Sequence, residues 1–198
     1  MCPPQTSYSQ NAIPGQPGQP YDSELSNQDI VDVVAGVNIP FGTLCELNAS
    51  GLAVPLQDLT TGTSFNPQVA GIALGGEFSV EQGYVPFAVP DTGAGSSASG
   101  WLKGQVVSFM RRGRIWVLGD ASGTSLRYGA INVHHSSDGT HLQGVFTFAA
   151  VSATAGNEID VAPNCTVWNP TLIGGATGMT FTDPFGNVFT PYIVEIHV

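Results

Sequence analysis

The fold is decided by the stretch GQVVSFMRRGRIWVLG, which occupies residues 104–119. Two apolar runs, rich in β-branched and aromatic residues, flank a basic centre, and such runs suit a buried, pleated surface. Neither run alternates cleanly between apolar and polar positions, which indicates strands covered on both faces. Gly113 can adopt the positive φ that a tight loop needs. The stretch therefore predicts a central β-hairpin with Arg111-Arg112-Gly113 as its turn.

Further short strands are expected on both sides of this hairpin. Before it they are residues 30–34, 39–47, 52–56, 69–74 and 84–89, with a turn at 48–51 and a restart of the sheet at Trp101. After it they are residues 128–133, 142–151, 158–161, 165–168, 179–182, 188–190 and 192–198. No segment keeps a 3.6-residue period over the ~10 residues of a typical helix. This spacing predicts an all-β fold, an antiparallel sandwich or barrel.

The first 27 residues differ in composition from the rest, because they are rich in proline and repeat Pro-Gly-Gln. Such a segment favours the extended polyproline II conformation and cannot nucleate a core. We expect an arm over residues 1–27 that makes no core contact, so that its deletion leaves the body folded. The alternative is a floppy tail. A β domain is expected over residues 28–120, and a C-terminal β region over 121–198 packs on it or completes it.

Charge is sparse and unevenly placed. Only 10% of the 198 residues are charged against 42% hydrophobic, and the formal net charge is −10. All cations lie between residues 103 and 127: Lys103, Arg111, Arg112, Arg114 and Arg127. An acidic chain is a poor binder of nucleic acid or anionic membrane, since both need cations. The tip arginines Arg111, Arg112 and Arg114 are interpreted either as a solubilising group or as a contact to an acidic partner.

Two short motifs could carry catalysis or metal binding, and neither is convincing. Asp91-Thr92-Gly93-Ala94 matches the motif of retroviral-type aspartic proteases, with Val117-Leu118-Gly119 as a later element. Pro90 and the loose glycine-rich continuation disfavour the rigid loop that such an enzyme needs, so we interpret the motif as a loop. His134, His135, Asp138 and His141 resemble zinc ligands, but their spacing is not diagnostic. We interpret them as surface histidines of a hairpin loop and predict no catalytic, cofactor or metal site.

Tryptophans and cysteines leave two further interpretations open. Trp101, Trp116 and Trp168 could form a sugar-binding platform, although the apolar neighbours of Trp116 favour a core or interface position. Three widely spaced cysteines, Cys2, Cys45 and Cys165, suggest no disulfide framework, and reduced thiols of a cytosolic setting are expected. The N-terminus lacks the pattern of a signal peptide, and no apolar run approaches the ~20 residues that span a membrane.

Three motifs, in order, resemble the structural cement (head decoration) proteins of tailed bacteriophages. The first is the arm sequence Ile13-Pro14-Gly15-Gln16-Pro17-Gly18-Gln19, followed by Pro20. The second is Ile39-Pro40-Phe41-Gly42-Thr43 with Val69-Ala70-Gly71-Ile72-Ala73. The third is the hairpin from Gly104 to Val117, with its core from Arg111 to Val117. A fainter match runs from Leu142-Gln143-Gly144-Val145-Phe146-Thr147 to Val194-Glu195-Ile196, and residues 153–190 exceed the family pattern.

The resemblance implies a protein without an active site. Its members bind the outside of an icosahedral capsid, often as trimers, and clamp major capsid proteins against internal DNA pressure. We therefore expect a non-enzymatic virion protein of the outer capsid surface, assembled in the bacterial cytoplasm, with the major capsid protein and itself as partners. The expected capsid contacts are residues 13–20 of the arm. The alternatives are a carbohydrate- or receptor-binding virion protein and, second, an aspartic protease.

Overall fold

Strands make up all the regular structure that the computed structural model describes, in residues 18–21, 29–56, 69–75, 100–120, 128–135, 143–154, 157–168, 181–182 and 188–198. Within these ranges no helix is long and apolar enough to cross a membrane. The strands are β1 (Asp29–Val34), β2 (Ile39–Pro40), β3 (Leu44–Leu47), β4 (Ala53–Pro55), β5 (Val69–Ala73), β6 (Gly100–Trp101), β7 (Val106–Asp120), β8 (Ala130–His134), β9 (Phe146–Thr147), β10 (Ser152–Thr154), β11 (Asn157–Val167), β12 (Phe181–Thr182) and β13 (Val188–His197).

Eleven of these strands form one antiparallel sheet, eight of them in the order β4-β3-β5-β7-β13-β11-β8-β9. Strand β1 also pairs with β7, β10 pairs with β11, and β12 pairs with β13. The remaining strands, β2 and β6, pair only with each other. The sheet curls into a half-barrel, which confirms the expected all-β antiparallel architecture.

The predicted central hairpin is wrong, because residues 106–120 form the single strand β7. Its two halves pair with other strands rather than with each other. Val106 to Arg112 lie opposite β1, and Arg112 to Asp120 lie opposite β13. Gly113 does have a positive φ of 132°, but the chain continues through it in the same strand instead of reversing direction. Strands β1 and β13, which are distant in sequence from residues 106–120, pair with β7 one after the other and keep the chain extended through the basic centre.

Strand β7 holds two partners along each edge. Strands β5 and β1 both pair with residues 109–110, so they lie on opposite edges. Strand β13 lies opposite β5 in the sheet order and therefore continues along the edge that β1 occupies. On the β5 edge, Pro20 bridges to Ile115 and extends the row of partners. Residues 106–120 thus form the central strand of the sheet.

A core that includes four alanines fills the curl formed by β1, β7, β5, β3 and β4. It consists of Ala35, Ile39, Cys45, Ala53, Ala70, Ala73, Val107 and Phe109, and we call it the small core. The curl closes at one point, where the Gly36 amide donates to the carbonyl oxygen of Ala53 at 2.7 Å. Alanines permit this approach because their side chains leave the strands room to meet.

A second core, built from larger side chains, lies along β7, β13, β11 and β8. Its buried members are Leu44, Leu56, Val69, Ile72, Leu74, Met110, Ile115, Trp116, Val117, Ile131, Val133, Phe146, Ala162, Cys165, Val167, Tyr192, Ile193, Val194 and Ile196, and we call it the large core. Tyr21, Phe148 and Trp168 pack against it half-buried. Trp116 is 4% exposed, which confirms the core position predicted for it.

Two pairs of predicted strands are each continuous. Residues 188–190 and 192–198 belong to β13, where Pro191 lies opposite Leu118 within the ladder. Residues 158–161 and 165–168 are joined in β11, whose register shifts between Val161 and Thr166. Asn164 in that shift has a φ of 57°, a left-handed conformation that asparagine tolerates. The predicted strand at residues 84–89 lies outside the described residues.

Candidate functional site

One segment of the N-terminal arm, residues 18–21, is attached to the central strand. The Gly18 amide donates to the carbonyl oxygen of Trp116 at 2.8 Å, and the Tyr21 amide donates to that of Arg114 at 2.8 Å. Residues 18–21 therefore lie as a short antiparallel segment on β7. These backbone hydrogen bonds link the arm to the sheet.

Side chains reinforce this link, and they correct the expectation that the arm makes no core contact. Gly18 is buried with a φ of 82°, and a Cβ there would come within 2.5 Å of the Gly75 amide nitrogen. The Tyr21 and Trp116 rings pack edge to face with centroids 6.0 Å apart. A deletion that spares the body must therefore stop before Gly18.

Among the predicted contact residues of the arm, Gly18 faces the body and is not available to a partner. Gln19 and Pro20 are exposed. Ile13, Pro14, Gly15, Gln16 and Pro17 lie outside the described residues.

The three arginines of the predicted hairpin tip lie in the middle of a strand, because there is no tip. Arg112 is exposed and lies opposite Asp29 on β1 and His197 on β13. Arg111 is half-buried, and its Nε has no hydrogen-bond partner among the described residues. Of the three arginines, only Arg112 has an exposed side chain.

Arg114 is committed to contacts within the chain. Its Nε lies 3.2 Å from Oε1 of Glu195, and its Cζ lies 3.2 Å from the centroid of the Trp168 ring. The Tyr128 ring packs edge to face with the Trp168 ring, and their centroids are 5.4 Å apart. His197 Nε2 lies 3.6 Å from the second carboxylate oxygen of Glu195. These half-buried cation–π and ionic contacts connect β7, β13 and β11 on one face of the sheet.

The three tryptophans do not form a common platform. Trp101 packs edge to face with Phe41 at 5.8 Å, and its indole N–H donates to the carbonyl oxygen of Leu74 at 2.7 Å. Trp116 is buried in the large core, and Trp168 is covered by Arg114. Each ring is thus occupied by a different partner, which removes the motivation for a sugar-binding surface.

The predicted surface histidines are wrong for the pair that is described. His134 and His135 are buried, at 4% and 6% exposure, at the end of β8. The amide of His134 donates to the carbonyl oxygen of Val145, and that of His135 to Glu158. Asp138, His141 and the Asp91-Thr92-Gly93-Ala94 motif lie outside the described residues. Within the described ranges, no cluster of His, Cys, Asp or Glu could hold a metal ion.

Strand β1 carries an exposed apolar surface that the sequence analysis did not single out. Its members, which we call the β1 patch, are Ile30, Val34, Val37, Leu102 and Val106, with exposed fractions from 38% to 60%. Val34 and Val106 lie directly opposite each other in the ladder. The amide of Gly104 donates to the carbonyl oxygen of Ala35, which holds the turn after Trp101 against the end of β1. The signal was present in the dense β-branched run of residues 30–34.

Both described cysteines are free and buried. Burial raises the pKa of the Cys45 thiol well above its ordinary value, and the neighbouring Glu46 carboxylate raises it further. Burial also raises the pKa of the Cys165 thiol. A raised pKa favours the protonated and less nucleophilic form of each thiol.

A family model described as structural cement protein (E217 gp24/Pam3 gp6) matches residues 4–182. The chain belongs to the structural cement protein family. This membership confirms the resemblance carried by the arm, the strand motifs and β7, although β7 is one strand rather than two. It gives the cement protein a structural role in a phage virion, in association with the capsid.

A chain from the solved structure "The capsid of Myoviridae Phage XM1" has the same fold as this cement protein. The TM-score is 0.54 at 15% sequence identity, and the match covers 98% of this chain and 96% of that one. At this identity the likeness shows the fold alone. A search of curated proteins found no match.

Proposed function

We propose that this cement protein binds the outer surface of an icosahedral capsid and clamps neighbouring major capsid proteins against internal DNA pressure, with no catalytic step. The attachment of the arm to β7 carries this proposal. A clamp must transmit load from one capsid subunit to another, and a contact segment transmits load only if it is joined to a rigid body. Residues 18–21 provide that joint at the strand through which the sheet is continuous.

Residues 13–17, together with the exposed Gln19 and Pro20, supply the capsid contact in this proposal. A proline-rich segment loses less conformational entropy on docking than a flexible one, so the same contacts yield more binding free energy. Exposed Arg112 is a second contact, to an acidic part of the capsid surface. A specific interface usually buries ~1,200–2,000 Å², and copies repeated around a shell add to one another through multivalency.

Truncation at the attachment point tests the role of the arm. We expect a variant lacking residues 1–17 to keep the melting temperature of the full chain, because Gly18 and Tyr21 remain. It should co-sediment more weakly with undecorated, expanded capsids. Replacing Pro14 and Pro17 with Gly should weaken binding less, since the contacts remain possible. Equal capsid binding by the truncated and full-length proteins would show that the body alone binds.

We further propose that the protein acts as a homotrimer on the capsid, as the family resemblance implies. Light scattering of the free protein and a cryo-electron map of the decorated particle test this. Density outside the shell in three-fold clusters is the expected result. Density inside the shell would overturn the outer-surface location, and monomers or dimers in both measurements would overturn the trimer.

A further inference from the structure

Strand β1 is bonded along one edge only, within the part of the chain that the structure describes. The Ala35 amide donates to the carbonyl oxygen of Gln105, so residue 35 faces β7. Because alternate residues of a strand face opposite edges, Val31 and Val33 also face β7, while Ile30, Asp32 and Val34 direct their backbone groups outward. The backbone groups of Gly36 also point outward, and its amide donates to the carbonyl oxygen of Ala53 in β4. Among the described residues, the outer edge therefore meets β4 at Gly36, and no strand pairs with it from Ile30 to Val34, which leaves an open edge there.

This open edge has the charge of Asp32 at its centre but lacks the other features that usually protect an edge strand. Natural proteins guard such edges with lysine, proline or a short strand length. Strand β1 has six residues, DIVDVV, with neither lysine nor proline. Ile30 and Val34 are 43% and 40% exposed beside the outward backbone groups, and Val106 next to Val34 is 60% exposed. An open backbone edge bordered by exposed apolar side chains is the surface to which an extended peptide adds as a further strand.

Charge selects the kind of strand that fits. Asp32 lies in the middle of the open edge, and the Ser108 hydroxyl donates to its Oδ1 at 2.6 Å, which fixes the carboxylate in place. A symmetric antiparallel pairing of two β1 strands that used all three outward residues would place Asp32 opposite Asp32. Like charges directly opposite one another destabilise a ladder. The arm of a second copy is no better, because residues 1–102 contain no Lys or Arg.

We propose that the open edge of β1 receives an extended segment of the capsid protein as an additional strand. The segment carries a Lys or Arg opposite Asp32, between apolar side chains that cover Ile30 and Val34. This inference rests on the proposed capsid binding and names the partner chemistry of one docking surface, distinct from the arm.

Hydrogen exchange on the full-length protein, free and bound to undecorated expanded capsids, tests the added strand. In the free protein, the amides of Val31 and Val33 should exchange slowly and those of Ile30, Asp32 and Val34 quickly. On capsids all five should become slow. Binding without slowing at Ile30, Asp32 and Val34 would overturn the β1 docking while leaving the proposed function intact. Absence of any capsid binding would overturn both. Slow exchange at these amides in the free protein at high concentration would identify a second copy as the occupant and overturn the proposal.

Three variants complete the test. Val34→Pro removes an outward N–H and no bond to β7, so it should keep the melting temperature and weaken capsid binding by about tenfold or more. Asp32→Lys should weaken binding by a similar factor, about tenfold, through charge repulsion. Val161→Lys is the matched control, because Val161 is 46% exposed on β11, away from β1. Unchanged binding by Val34→Pro, or equal loss in all three, would contradict docking at the open edge.

Discussion

The small core and the large core share β7 but are assembled by different means. In the small core, four alanines allow the strands to approach until backbone meets backbone, as at Gly36 and Ala53. In the large core, aromatic and branched side chains fill the space, and the Trp116 ring packs against Tyr21 of the arm. The first is therefore limited by backbone geometry and the second by buried volume. The open edge of β1 borders the small core, and the arm attaches at the large one.

Removal of the central aromatic ring should have the largest effect on the large core. Trp116→Ala should lower the free energy of unfolding by roughly 3–5 kcal/mol, because a buried ring is lost and Tyr21 loses its partner. Urea denaturation measures the loss, and proteolysis near residue 21 should accelerate. Arg112→Ala is the control in the same strand, with an expected change below ~0.5 kcal/mol. An unchanged stability of Trp116→Ala would show that filled volume does not hold this end together.

A single methyl group should disturb the small core. Gly71 has a φ of 133°, and a Cβ there would lie 2.5 Å from the carbonyl oxygen of Met110. Gly71→Ala should cost about 3 kcal/mol, from backbone strain together with the forced separation of β5 from β7. Gly51→Ala is the matched control, because its φ of 73° is also positive but its Cβ would meet open space. Strain alone should make that control cost about 1 kcal/mol. Equal costs for the two variants would mean that close backbone approach does not limit this core.

The sequence predicted those elements whose signals are local. Strands β1, β4 and β5 coincide with dense β-branched or apolar runs. The turn at residues 48–51 is fixed by Asn48, whose Oδ1 accepts hydrogen bonds from the amides of Ser50 and Leu52. The hairpin at Gly113 was wrong because glycine signals a positive φ but not whether the chain reverses. That outcome depends on β1 and β13, which are distant in sequence. A strand of fifteen residues also far exceeds the common length of ~5–6.

The candidate site was predictable only in part, for the same reason. Proline content marked the arm, but the attachment of Gly18 to β7 uses backbone groups that composition does not reveal. The turn-like sequence after His135 suggested exposure, whereas the pairing of β8 with β11 and β9 buries both histidines. The resemblance to the cement family depends on the order of the motifs, and an error in the pairing of one strand does not change that order.

Cys45 lies in the small core and Cys165 in the large core, so the ionisation of the two thiols compares how well each core excludes water. Burial raises the pKa of both thiols in the folded protein, while in the unfolded chain a thiol titrates near ~8.5. Above that pH the unfolded state releases protons that the folded state keeps, so stability is full at neutral pH and falls as pH rises. Each thiol should contribute a loss of about 1 kcal/mol between about pH 8.5 and about pH 9.5.

Urea denaturation across this pH range, for the wild-type protein and for Cys45→Ala and Cys165→Ala, isolates each contribution. Each variant should show a shallower fall in stability than the wild type, by the same amount if both cores exclude water equally. The subtraction removes groups common to all three proteins, such as the tyrosines. A Cys45→Ala slope equal to that of the wild type would mean that the Cys45 thiol ionises in the folded chain. The small core would then admit water beside the open edge of β1, and the two cores would differ in how well they exclude water.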